Sequence, residues 1–338
     1  NDTLDLQLHA HGYPFTIDDG QRSGYTSGSS ASTRWHNVVQ VDDKNWIGAS
    51  WVRSLTDGDG ARYMLAEAVP PQDFENVRSY RRQVALLDAG DDPAATPLPP
   101  SAIMGAGLPA VARTPDCYVF DVVRVSGGKR HTYNFHASLD DEVVCNVADK
   151  KPSDRGKREG FPASAQGFTG TAPEELTATW RMRRDPMGTA LGERGIAPWF
   201  DAKSPRKFTR LHLLGWKGAP VYTDWTFCKQ WNYGFTNLYT VHETEQDSDA
   251  LFPAVIEPYV GTPFIASVRL LPVEGNEADA SAAVAIEVKT VDGRTDFLFV
   301  DGRPEKTRRI GTSAAAGEFA FAGEDKDGLR LATLSGGT

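Results

Sequence analysis

The chain has 338 residues, with 36 Lys and Arg against 45 Asp and Glu, for a formal net charge of −9. That balance lacks the basic face needed to neutralise phosphates, which excludes a general nucleic-acid binder. Hydrophobic residues at 40% permit a sizeable core, and no apolar run approaches the roughly 18–20 residues of a membrane-spanning helix. Cys117, Cys145 and Cys228 are too few and too scattered for a disulfide framework or a zinc ribbon, and read as ordinary buried thiols.

The chain opens on Leu4, Leu6 and Leu8 alternating with polar residues, then turns at Gly12-Tyr13-Pro14 into 15–17. Opening directly on a strand pattern, without a leader, is what a processed product or a fragment of a longer protein would do. Val38, Val39 and Val41 form a further strand. Segments 46–52 and 61–69 follow as a pair across Asp57-Gly58-Asp59-Gly60, a hairpin signal. Segment 80–87 continues the series. The Pro-, Ala- and Asp-rich stretch 90–109 reads as a long surface loop. Segment 117–125 is a β run that Gly127-Gly128 turns into 132–136, and the charged stretch 150–170 reads as a solvated insertion.

Further strands are expected at 176–183, 208–214, 221–227, 237–242, 251–257, 264–271 and 282–291. Asp292-Gly293 forms a hairpin into 296–300, and a small-residue β pattern fills 310–334. Only 247–253 offers a candidate for a short helix. The fold class is therefore all-β: a large antiparallel β-sandwich domain over 1–258, followed by a smaller C-terminal β domain over 259–338.

Seven histidines are the first candidates for chemistry. His9 and His11 form an H-x-H pair, but their parity is opposite to that of the three leucines, which places them on the solvent side of the strand. Asp18 ends a strand at Asp18-Asp19-Gly20, and His36 begins the next. A carboxylate and an imidazole are both good zinc ligands, although two do not make a site. His131 and His136 read as a hydrogen-bonded pair on a sheet face, and a substrate role for Glu257 is the weaker of its two readings. The aromatic stretch holding Trp225, Phe227, Trp231, Tyr233, Phe235 and Tyr239 reads as sandwich core, with sugar stacking as the alternative. The clusters Arg78, Arg81, Arg82 and Arg181, Arg183, Arg184 could meet a polyanion only locally, given the overall charge.

Several of these segments together resemble a known family. They are the opening Asn1-Asp2-Thr3-Leu4, then Gly12, Asp18-Asp19-Gly20, and His36-Asn37-Val38-Val39-Gln40-Val41-Asp42. Asp121-Val122-Val123-Arg124-Val125-Ser126-Gly127-Gly128 with His131-Thr132-Tyr133-Asn134-Phe135-His136, and 254–261, complete the set. The run is similar to the heparinase II/III-like polysaccharide lyases, from residue 1 to about 270.

The resemblance implies a β-sandwich and a smaller β domain that in the family follow an α/α toroid. It also implies β-elimination on uronic-acid polysaccharides such as heparan sulfate, hyaluronan or alginate. Asp18 and His36 would be two ligands of a mainly structural Zn²⁺, with a further ligand outside this chain. Arg22 and Tyr25 would face the cleft as substrate-binding residues. The family's base lies in the toroid, so the resemblance names no catalytic residue in this chain, and a toroid chain or domain is the expected partner. The expected location is periplasmic or extracellular. Two rivals remain: a non-catalytic carbohydrate-binding sandwich, and a structural sandwich of a surface assembly.

Overall fold

The computed structural model describes residues 3–11, 13–16, 32–46, 48–58, 60–90, 116–153, 167–183, 205–228, 233–325 and 328–336. Among them the architecture is antiparallel β, with a single 3₁₀ turn at Thr33–Trp35 and no α-helix. Three sheets stack in layers.

The first sheet has six strands, in the order Ala148–Pro152, Phe168–Thr171, Pro220–Cys228, Tyr233–Glu243, Arg130–His136 and Val39–Val41. The second has eight: Ser50–Gly58, Ala61–Ala68, Ser79–Gly90, Asp116–Ser126, Asp249–Val260, Lys207–Leu214, Glu175–Met182 and Asp140–Cys145. The third has five: Ile265–Leu271, Val284–Thr290, Thr295–Val300, Phe319–Asp325 and Gly328–Ser335.

The alternation of side chains across each strand decides this layering. Val39, Tyr133, Phe135, Val221 and Leu238 on the six-stranded sheet meet Val123, Trp180, Leu211 and Phe252 on the eight-stranded one in one core. The opposite face of the eight-stranded sheet carries Tyr63, Leu87, Tyr118, Phe120 and Val122, which pack against Ile286, Leu298 and Phe319 of the five-stranded sheet. The middle sheet is thus buried on both sides, and this is why Asp116–Ser126 is apolar nearly throughout instead of alternating. The hairpin at Asp292-Gly293 forms as expected, with Gly293 at φ 94°. At Gly127 a Cβ would lie 1.8 Å from the Asn76 carbonyl oxygen, so only glycine lets the two backbones approach.

Three elements differ from the sequence reading. Leu4 to Leu8 is not a strand. Leu4 has φ 61°, and side chains take up backbone groups of the run: Thr16 accepts from the Leu8 amide at 2.7 Å, and Asn37 donates to the Leu6 carbonyl at 3.1 Å. The leucines still turn inward, and Leu8 is buried. The stretch considered for a helix begins strand Asp249–Val260, held between Asp116–Ser126 and Lys207–Leu214, where tertiary pairing overrides local preference. The charged stretch contributes Ala148–Pro152 and Phe168–Thr171 to the sheet edge, while 154–166 lie outside the described residues. Glu257 is structural: fully buried, it accepts from Arg210 at 2.6 Å and from the Phe264 and Ile265 amides at 2.7 and 2.8 Å, tying the middle sheet to the first C-terminal strand.

Candidate functional site

The six-stranded sheet gives its inner face to the core, and its outer face is polar. Register places Asp224 beside Asn237 and Asn237 beside His136; one rung along stand Tyr222, Tyr239 and Asn134. All six share the side opposite to Val221, Leu238 and Phe135. A polar sheet face is usually solvated, but Asn134, Asn237 and His136 are buried.

The roof is the turn Thr33–Trp35. Thr33 is fixed by accepting the Trp46 amide at 2.7 Å and by donating its own amide to Asn45 at 3.0 Å. Asn237 donates to the Arg34 carbonyl at 3.4 Å, and His136 Nε2 meets the Trp35 carbonyl at 3.0 Å. Arg34 forms an ion pair with the buried Asp224, and its guanidinium lies 4.8 Å from the Trp35 ring and 5.2 Å from the Tyr239 ring. Tyr222 stacks on Tyr239 at 5.1 Å. Arg34 itself is 38% exposed. The result is a cation gripped from below by a carboxylate and flanked by aromatic faces, with its rim in solvent. Such a group recognises a carboxylate, while aromatic faces accept sugar rings. Asp224 Oδ1 and Asn237 Oδ1 are buried without a hydrogen-bond donor among the described residues. A ligand hydroxyl reaching them would satisfy acceptors that otherwise cost about 1–3 kcal/mol each.

Beside this face stands His36, buried, with Nδ1 3.7 Å from the Asp5 carboxylate. Burial pushes the Asp5 carboxyl up, but the hydrogen bond and charge of His36, the charge of His136 and the Asn37 amide outweigh it and hold it below its usual value. Asn37 positions the pair. Its amide donates to Asp5 at 2.8 Å, and its side chain accepts the His136 amide at 2.7 Å while donating to the Leu6 carbonyl. Its carbonyl accepts from Arg82, which also donates to the Leu4 carbonyl at 2.6 Å. Arg82 in turn forms two bonds of 2.7 Å with Asp121, and both residues are buried. A core ion pair thus sets the height of both loops that carry Asp5 and His36.

Of the residues expected to act, His36 is placed here, while Asp18, Arg22 and Tyr25 lie outside the described residues. His136 cannot serve as a ligand, because its two ring nitrogens face the Ala137 and Trp35 carbonyls at 2.8 and 3.0 Å. Among the described residues no group of three or more His, Cys, Asp or Glu is arranged to hold a metal ion. His36 and Asp5 supply donors of the right chemistry, but not a complete set. His9 is exposed on its short strand, while His11 sits in a turn at φ 48°, with Nε2 3.7 Å from Asp116. Asp5, Arg34 and Asp224 are additional to the sequence reading; Asn37 belongs there to the family motif without a role of its own, and Arg82, grouped there with Arg78 and Arg81 as a local contact for a polyanion, is instead buried against Asp121. Strand parity alone could have paired Asp224 and Tyr222 with Asn237 and Tyr239.

No family model and no curated protein matches the chain. Among solved structures, a mutant heparan sulfate lyase from Pedobacter heparinus is similar over 88% of this chain and 36% of its own, at 11% identity and a TM-score of 0.45. A heparinase III structure is similar over 88% of this chain and 35% of its own, at 14% identity and a TM-score of 0.47. The chain spans about a third of the length of the lyases it resembles.

Proposed function

We propose that this chain is the β-rich portion of a polysaccharide lyase that cleaves uronic-acid-containing polysaccharide by β-elimination. The observation that carries the reading is Arg34, exposed at its rim, backed by Asp224 and flanked by Trp35 and Tyr239. It stands next to the His36-Asn37 segment through which the sequence resembles heparinase II/III-like lyases.

Elimination requires removal of a weakly acidic proton on the carbon bearing the uronate carboxylate, followed by loss of the 4-linked oxygen. The proton becomes removable when the carboxylate charge is neutralised and the developing enolate is stabilised. In this reading the Arg34 guanidinium meets that carboxylate, and Trp35 and Tyr222 provide the faces on which the sugar rings rest. His36 and His136 are buried, so the base comes from a toroid domain that closes over the face. Arg22 and Tyr25 are further substrate-binding residues in this reading, carried by the sequence resemblance alone. His36 and Asp18 would be two ligands of a Zn²⁺ with a further ligand outside this chain, and the ion's role would be mainly structural. The protein works in the periplasm or outside the cell, where such polymers are met.

The test is incubation with heparan sulfate, hyaluronan and alginate, monitoring the ultraviolet absorbance of the unsaturated product. The chain alone should be silent and should become active once a toroid domain is supplied. The burial of both imidazoles also favours a second reading, a carbohydrate-binding sandwich without chemistry. Polysaccharide binding with no product under any pairing would select it.

A further inference from the structure

Arg124 belongs to the Asp121–Gly128 motif, yet the face described above leaves it unused. It lies on the opposite side of the eight-stranded sheet, directly across the ladder from Arg81. Two like charges facing each other on an antiparallel pair repel, and each needs compensation. Arg81 has Glu67 at 3.2 Å. Arg124 is 3% exposed and, among the described residues, has no carboxylate at ion-pair distance. Its bonds go to neutral oxygens: Gln83 Oε1 at 2.6 Å, the Ala280 and Ala282 carbonyls at 2.8 and 2.5 Å, and the Val300 carbonyl at 3.4 Å. Burial, against the more distant charge of Asp301, pulls this guanidinium down to about 10.

Arg124 lines a polar cavity of about 140 Å³ between the middle and C-terminal sheets, together with Arg81, Arg303 and the hydroxyls of Ser79, Ser126 and Ser281. Two carboxylates also line it, but their oxygens are turned to donors. Asp249 accepts from Arg78, Ser126 and the Gly127 and Ala280 amides. Asp279 accepts from the Ser281 amide and hydroxyl and from Arg303. With the Ser126 and Ser281 hydroxyls given to these carboxylates, three guanidinium groups and the Ser79 hydroxyl remain around a volume suited to a few heavy atoms.

We propose that this cavity is a binding site for an oxyanion, a sulfate or phosphate group, that neutralises the Arg124 charge and bridges the middle sheet to the C-terminal sheet. The anion would accept from Arg124, Arg81 and Arg303, a cluster of charge-assisted donors of the kind that selects oxyanions over chloride.

The test is equilibrium dialysis of the whole chain with labelled inorganic sulfate and phosphate at constant ionic strength in chloride. The wild type should bind one anion saturably. Arg303→Gln and Arg81→Gln, at the exposed rim, should fold normally and bind about tenfold more weakly each, as loss of one charge-assisted bond implies. Arg124→Gln should abolish binding, with circular dichroism and thermal unfolding in chloride reporting whether it folds. Competition by a sulfated oligosaccharide, but not its desulfated form, would assign the anion to a sugar sulfate. Displacement by neither would assign it to the free ion. Non-saturable uptake, or equal affinity in the wild type and both rim variants, would overturn the proposal.

Discussion

The side-chain oxygen of Asn37 accepts the backbone amide of His136 at 2.7 Å, joining the segment that carries His36 to the sheet strand beneath it. The same side chain donates to the Leu6 carbonyl, and the Asn37 amide reaches the Asp5 carboxylate, so one buried residue fixes two pieces of backbone and one side chain. Asn37→Ala should cost about 1–3 kcal/mol for each polar group left buried and unpaired. Urea unfolding would measure it. A loss below 0.5 kcal/mol, which is about the scatter of surface substitutions, would contradict this bracketing role.

The Arg82–Asp121 pair supports the bracket from the core. Removing one partner, as in Arg82→Met or Asp121→Leu, should destabilise by about 3–5 kcal/mol, because a charge remains buried without its counterion. Arg82→Met combined with Asp121→Leu should cost less than the sum of the two singles. Chemical denaturation of the four proteins closes the cycle, and strict additivity would show that the residues act independently.

Asp140 predicts a pH dependence. Burial first, then the neighbouring Asp141, raises its carboxyl to about 7, against the bonds it accepts from the Thr236 amide and hydroxyl at 2.6 and 2.9 Å. A carboxyl whose folded value exceeds its unfolded one favours the folded state when protonated. Its contribution is therefore complete below the unfolded value of 3.8 and is lost as pH rises toward 7. Melting temperatures measured from pH 4 to 7 should show this decline superimposed on other titrations, and Asp140→Asn should flatten it. An unchanged profile in the variant would rule Asp140 out as the source.

Zinc content provides a separate check. Metal analysis of protein purified without chelator should find zinc in the wild type, and His36→Ala and Asp18→Ala should each lose most of it. Unchanged content in both variants would reject these ligands.

The strand pattern was readable because alternation and Asp-Gly turns are local signals, as at Asp292-Gly293. The site was less readable, and the reasons are physical. Asp5 meets His36 through a contact 31 residues apart in sequence, made by loops rather than by paired strands. Arg82 and Asp224 look solvated in an alternating strand, yet an ion pair in the core and a 3₁₀ roof bury them. The apolar run of Asp116–Ser126 signals burial on both faces, but not that the C-terminal sheet provides the second cover. His36 was visible as a candidate, whereas its positioning by Asn37 depends on side chain-to-backbone bonds that carry no periodicity.

The most direct measurement is equilibrium binding of a defined uronate oligosaccharide to the chain and to Arg34→Gln. The account predicts saturable binding that weakens about tenfold or more in the variant, as loss of a charge-assisted contact to a carboxylate implies, with the neutral, carboxyl-reduced oligosaccharide bound poorly by both. Equal affinity of wild type and variant for the uronate, or no binding by either, would contradict it.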